Sequence, residues 1–430
     1  MPLMNSTGAL KQQNNFVTTI PIVGQQWIAQ YAIGGTSQVM CQPTSAGDTY
    51  ILWDSTVIKL NSDGNKTFAN VLNDFLYVYC SYADASNNLY VAGNMAGVPQ
   101  VVKYNSAGTI LWQKSFGGSN IVSMQVSTSG DVFVLIGDIP PVTVYNGPYI
   151  VMKINSSGTV LSQRRLLKSA TSATTNLYID NTNSKLYITG TDFATGRGQI
   201  LNAVYDLSNS DTASSMVSQS STTDKYYTSN VIYPSKTIVT DGTYVYQVGQ
   251  RLIGTTTRSV YMKINKSTGA ISYSNQISIS GIACSIYGIT MDTSGNFYLY
   301  GNVSSSDTGL GFVCKVRMSD GVILWAKTLG TTQQFVWDMS FSGGFLYMTT
   351  EVVQSGYRSA CIKLKSDGSL PDATYNTYWK FTSVTPTTAS YDAQTTGTTT
   401  GTNATTAYGS ATTTYTTSTA SVTITTTNIP

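Results

Sequence analysis

Val102-Lys103-Tyr104-Asn105-Ser106-Ala107-Gly108-Thr109-Ile110-Leu111-Trp112 reads as two short strands joined by a tight turn. Apolar and β-branched residues flank Asn-Ser-Ala-Gly, where Asn opens a turn and Gly supplies a positive φ. The unit returns as Lys59-Leu60-Asn61-Ser62-Asp63-Gly64 and Lys153-Ile154-Asn155-Ser156-Ser157-Gly158. It returns again as Lys263-Ile264-Asn265 with Gly269, Lys315-Val316-Arg317 with Gly321 and Trp325, and Lys363-Leu364-Lys365-Ser366-Asp367-Gly368. A worn copy at Ala203-Val204-Tyr205-Asp206 completes seven, spaced by 44, 50, 50, 60, 52 and 48 residues.

A second element precedes each copy: a turn, then a strand of the type Leu89-Tyr90-Val91-Ala92-Gly93, Leu186-Tyr187-Ile188-Thr189-Gly190 or Phe297-Tyr298-Leu299-Tyr300-Gly301. Four antiparallel strands at this period predict an all-β, seven-bladed β-propeller. A worn unit inserted in a six-bladed ring is the alternative. Pairing Asn105 with Thr109 places Trp112 opposite Val102 and Lys103 opposite Leu111, with the Trp ring between neighbouring blades. On this reading Trp27, Trp112, Trp325, Lys59, Lys103, Lys153, Lys263, Lys315 and Lys363 are architecture.

The last copy lacks a Trp-type strand after Gly368. The missing strand stands at the other end of the chain, where Gln26-Trp27-Ile28-Ala29-Gln30-Tyr31-Ala32-Ile33-Gly34-Gly35 matches Leu111 to Gly118. The N-terminal strand is therefore expected to complete the last blade and close the ring, since an open sheet edge invites aggregation. The divisions expected are an N-terminal arm, 1–25, the propeller, 26–380, and a Thr-rich C-terminal β or extended tail, 381–430.

With Gly108–Trp112 and Gly321–Trp325 as carriers, the units resemble bacterial outer-surface and quinoprotein-like propeller repeats. The resemblance spans about four-fifths of the chain. It implies the fold, and leaves function open because propellers host many activities. Quinoprotein dehydrogenases of this architecture hold pyrroloquinoline quinone and calcium. The chain offers no carboxylate cluster for that metal and no vicinal cysteine pair for that cofactor, so no cofactor is expected.

Composition narrows the chemistry. The chain has no histidine, which removes the commonest general base and every His-ligated metal site. Charged residues are 10% and net charge is +3, so nothing steers the chain toward nucleic acid or a membrane surface. Five cysteines, Cys41, Cys80, Cys284, Cys314 and Cys361, sit in apolar runs without zinc spacing. They read as small buried hydrophobes, which implies folding in a reducing compartment. No metal site and no catalytic residue is expected. Met1 to Gly8 lacks the pattern of a signal peptide.

Residues 381–430 contain 22 threonines and one charge, Asp392. A segment so poor in apolar residues should not order alone. Its strand-favouring Thr and Tyr, and the alternation in Ser421-Val422-Thr423-Ile424-Thr425, predict strands that pair with a partner chain or a neighbouring copy. The N-terminal arm is expected to dock in the same way.

The variable segments between second and third strands, among them Asn94–Gln100 and Gln250–Ser259, should gather on one face. Tyr145, Arg197, Arg251, Arg258, Tyr357 and Arg358 are the candidate contact residues, because Tyr and Arg dominate interface hot spots. These features predict a non-enzymatic structural or appendage protein of a bacteriophage virion, tail-associated or capsid-decorating. It would be assembled in the host cytoplasm with other virion proteins or copies of itself, and a host-surface glycan or protein is a candidate partner. A bacterial cell-surface adhesin is the first alternative and a glycan-acting enzyme the second.

Overall fold

The computed structural model describes residues 15–22, 26–32, 39–53, 56–72, 77–95, 98–116, 120–137, 149–167, 172–192, 199–207, 213–219, 225–228, 236–253, 256–266, 270–303, 309–331, 333–352, 358–374 and 379–390, and the short segments 396–398, 402–405, 410–411, 417–419 and 422–426. They form seven sheets and no helix. In the second sheet Tyr77–Ala83, Leu89–Met95, Val98–Tyr104 and Ile110–Phe116 follow one another antiparallel. The worn unit keeps the same place: Gln199–Asp206 is the third strand of the fourth sheet.

The innermost strands are Val39–Pro43, Tyr77–Ala83, Ile121–Val126, Ser172–Asp180, Ile238–Thr240, Ser285–Met291 and Gln334–Ser342. Each contacts the next, and the last contacts the first, around a central channel. Gln26–Ala32 is the fourth strand of the seventh sheet, paired antiparallel with Arg358–Lys365 in the register Trp27↔Lys363.

Local chemistry sets the hairpins. Asn105 Oδ1 accepts the backbone N–H groups of Ala107 and Thr109, while Gly108 sits at φ +83°. Asn61 and Asn155 repeat the arrangement with their own turns. A one-residue bulge follows each of these hairpins, and in the second sheet it falls between Ile110 and Trp112. The expected register therefore changes: Trp112 stands opposite Lys103, not Val102. Bulging lets Leu111 turn out to solvent and puts the Lys and Trp side chains on one face, toward the next sheet.

That face carries the contacts between sheets. Lys59, Lys103, Lys153 and Lys263 donate from Nζ to the carbonyls of Ser106, Ser156, Leu207 and Ser319, each in the hairpin of the following sheet, at 3.1–3.3 Å. Lys363 makes the same reach from the last sheet to Ser62 of the first, at 3.0 Å. Lys315 instead pairs with Asp292 at 3.4 Å. Trp112 Nε1 donates to the Ser156 carbonyl at 2.9 Å and Trp27 Nε1 to that of Ser62 at 3.0 Å. The Trp325 ring lies against Gly368, where a Cβ would approach it to 2.8 Å.

The C-terminal residues do not await another chain. From Trp379 onward they run around the ring in descending sheet order and add a strand at each outer edge. Lys380–Ser383 pairs in the sixth sheet, Thr387–Ser390 in the fifth and Thr396–Thr398 in the fourth. Thr402–Thr405 pairs in the third, Ser410–Ala411 in the second and Thr417–Thr419 in the first. In the seventh sheet the N-terminal strand Asn15–Ile22 folds back on Gln26–Ala32, and Val422–Thr426 pairs parallel to it. The expectation of strands is met within the chain itself. The outer strands of the ring supply unpaired backbone groups, and the described tail strands pair with these.

The belt is anchored at its start. Trp379 and Phe381 are buried in the core shared by the sixth and seventh sheets. Asp372 accepts the Ser383 N–H and hydroxyl and pairs with Lys327 at 3.0 Å. These bonds hold its carboxyl down to about 2.

Candidate functional site

Two kinds of surface were predicted from sequence, and the structure adds a third. Of the candidate contact residues, Tyr145, Arg197 and Tyr357 lie outside the described residues. Arg251 and Arg258 occupy directly opposed positions on the hairpin of Tyr244–Ile253 and Thr256–Asn265. Arg358 opens Arg358–Lys365, opposite Ala32 on one side and Val352 on the other. The segments Asn94–Gln100 and Gln250–Ser259, expected as loops, are largely strand: Leu89–Met95 meets Val98–Tyr104, and Tyr244–Ile253 meets Thr256–Asn265. Continued ladder pairing, aided by β-branched Thr256 and Thr257, extends these hairpins beyond the predicted ends.

The third surface is the central channel. Its cavity of about 310 Å³ lies among the ends of the innermost strands, on the side of the turns joining first to second strands. This is the opposite end of the ring from the predicted contact segments. Beside aliphatic residues such as Leu177, Ile238 and Ile289, the lining carries Gln42, Ser81, Gln125 and Asn176 from four successive sheets, with Tyr82 and Tyr178 next to them.

One irregularity shapes this channel. In the fifth sheet the innermost strand is split: Lys225–Thr228 pairs with the far end of Tyr244–Ile253 and Ile238–Thr240 with its near end. Lys236, two residues before Ile238–Thr240, lines the channel. Its ammonium pairs with Asp338 Oδ1 at 3.4 Å and donates to the Ser340 hydroxyl. The Asp338 carboxylate also takes the N–H groups of Cys41 and Met339. Lys236 thereby ties the fifth sheet to the seventh, and its charge is neutralised inside the channel.

Among the described residues no cysteine has the form of an activated nucleophile. All five cysteines are buried thiols. Burial, then the Asp338 charge, pushes the Cys41 thiol well above its ordinary range, and burial lifts Cys284 to about 12. Among the described residues no group of three Cys, Asp or Glu is placed to hold a metal ion.

Glu351 is the one carboxyl moved toward neutral pH among the described residues. Burial lifts it to about 7, opposed by the Trp337 indole N–H, which donates at 2.8 Å. Trp337 stacks between Phe335 and Tyr287, with ring centroids 4.8 and 5.8 Å away. Glu351 holds this aromatic stack at the seam of the sixth and seventh sheets. Sequence reading missed it because nothing about Thr350-Glu351-Val352 distinguishes a buried carboxyl from a surface one.

The geometry has counterparts among solved structures. The RRP9 WD40 repeats match with a TM-score of 0.52 at 10% identity, covering 79% of this chain and 97% of that one. This chain is a β-propeller. A streptogramin B lyase matches at 0.51 and 11% identity, over 78% of this chain and 97% of the lyase. The WD40 propeller domain of Doa1 matches at 0.50 and 11% identity, over 78% and 96%. At these identities the likeness is one of fold. No known protein family and no curated protein matches the sequence.

Proposed function

We propose that the propeller is a non-enzymatic scaffold of a bacteriophage virion, tail-associated or capsid-decorating, that engages other proteins through its faces and outer strands. The observation that carries this reading is the belt: Asn15–Ile22 and the described strands between Lys380 and Thr426 lie on the outer edges of the ring, with a strand added to all seven sheets. A particle protein must survive outside the cell, and covering sheet edges removes the usual route to aggregation. The buried unpaired thiols suit assembly in a reducing host cytoplasm. Leu111, Leu161 and Leu324, at 51%, 52% and 45% exposure on the bulges of the second, third and sixth sheets, supply apolar contact points for protein partners. WD40 propellers appear among the structural neighbours, which fits a scaffold role.

Mass spectrometry across a density gradient of a phage lysate tests this. The protein should co-sediment with intact particles. Recovery from the washed surface of uninfected cells would favour the adhesin reading instead. Release of shortened products from host polysaccharide would overturn the non-enzymatic assignment.

A further inference from the structure

We infer that the channel mouth binds a neutral, hydroxyl-rich ligand of about one pyranose ring, such as the end residue of a glycan. This goes beyond the scaffold reading and does not depend on it. Gln42 is 7% exposed, its amide makes no hydrogen bond among the described residues, and it lines both this cavity and a smaller one of about 20 Å³ that also touches Asp338. Gln125 lies two sheets away on the same linings, its amide also without a hydrogen bond among the described residues. Between them Ser81 reaches only the Met40 sulfur, at 3.8 Å. Each amide offers donors and an acceptor. These amides face the cavity rather than a protein partner, so a polar occupant of the channel would complete their hydrogen bonds.

The charge balance decides the class. The charged residues on this lining are Lys236 and Asp338, and they are bonded to each other and to backbone or hydroxyl groups. Neither is available to a cation or an anion. The remaining groups match a ligand that donates and accepts at adjacent atoms, which is the chemistry of vicinal hydroxyls. The cavity volume lies at the small end of ligand pockets, which suits one ring rather than an extended peptide.

Saturation-transfer NMR on the full chain tests this with the methyl glycosides of glucose, galactose, mannose and N-acetylglucosamine, with glucuronate and glucosamine as charged controls. At least one neutral glycoside should receive saturation, more strongly than either control. Gln42→Met should weaken it about tenfold, the loss of one hydrogen bond of roughly 1.4 kcal/mol. Gln125→Met, at a more open position, should weaken it as well and covers the case in which Gln42→Met does not fold. Arg251→Ala, at the other end of the ring, should leave it unchanged. Absence of transfer from all four neutral glycosides, or binding unaltered in a folded variant of either glutamine, would overturn the inference.

Discussion

Trp27 stands directly opposite Lys363, and both side chains donate to one carbonyl oxygen, that of Ser62. The two residues are far apart in sequence and meet on the hairpin of the first unit. Closure is thus enforced by two side chains as well as by a strand ladder. Trp112 and Lys103 repeat the pair on the Ser156 carbonyl, without bridging the ends.

Trp27 is 1% exposed, whereas Trp112 is only half-buried. Trp27→Ala should cost about 3–5 kcal/mol, and Trp112→Ala about half of that. Denaturant unfolding of the two variants checks the difference, and equal losses would contradict a special role for the closing strand. Deletion of residues 26–35 should abolish the single cooperative transition altogether.

Ending the chain at Pro386 keeps the anchor at Asp372, Trp379 and Phe381 but removes the belt from six sheets. The ring should still fold, then self-associate through its uncovered edges and yield faster to proteinase K. Size-exclusion chromatography and limited proteolysis read both effects. A monomeric, equally resistant fragment would show that the tail strands protect nothing.

Glu351 should give stability a slope in an unusual direction. Its carboxyl titrates at about 7 in the folded protein, against an ordinary value of 4.5. The folded state therefore holds a proton that the unfolded chain gives up between those values. The melting temperature should be higher below pH 4.5, fall as pH rises to about 7, and stay low above it. No histidine competes in this window. Carboxyls held low, such as Asp372, act only in more acidic solution. Glu351→Gln keeps an acceptor for Trp337, and should flatten the slope and raise the melting temperature at pH 8.

Two glycines separate backbone strain from packing. Gly295 sits at φ +80° with open space around it, while Gly368, at φ +81°, lies under the Trp325 ring. Gly295→Ala should cost about 1–2 kcal/mol for the left-handed backbone alone. Gly368→Ala should cost measurably more, because its methyl group displaces Trp325. Chemical unfolding of both variants compares them, and equal costs would remove the packing argument.

The four-strand unit was legible because its signals are local. Asn105 and Gly108 build their turn from bonds spanning four residues, and Leu89–Gly93 is a continuous strand-favouring apolar run within a single strand. The bulge was not legible, since one unpaired residue leaves no compositional mark, and it reversed the expected partner of Trp112. The belt showed in the sequence only as strand preference. Thr-rich segments of two to five residues carry too little hydrophobic pattern to name the edge they pair with.

By itself, then, the sequence determined the all-β repeat, the turn chemistry and the need for a strand near Trp27 to complete the last unit, because each depends on neighbours along the chain. Tertiary structure alone decided the Lys-to-carbonyl reach between units, the Lys236–Asp338 pair in the channel and the wrapping of the tail. These join residues about 50 to 400 positions apart, and no local spacing encodes a contact whose geometry exists only once the ring has closed.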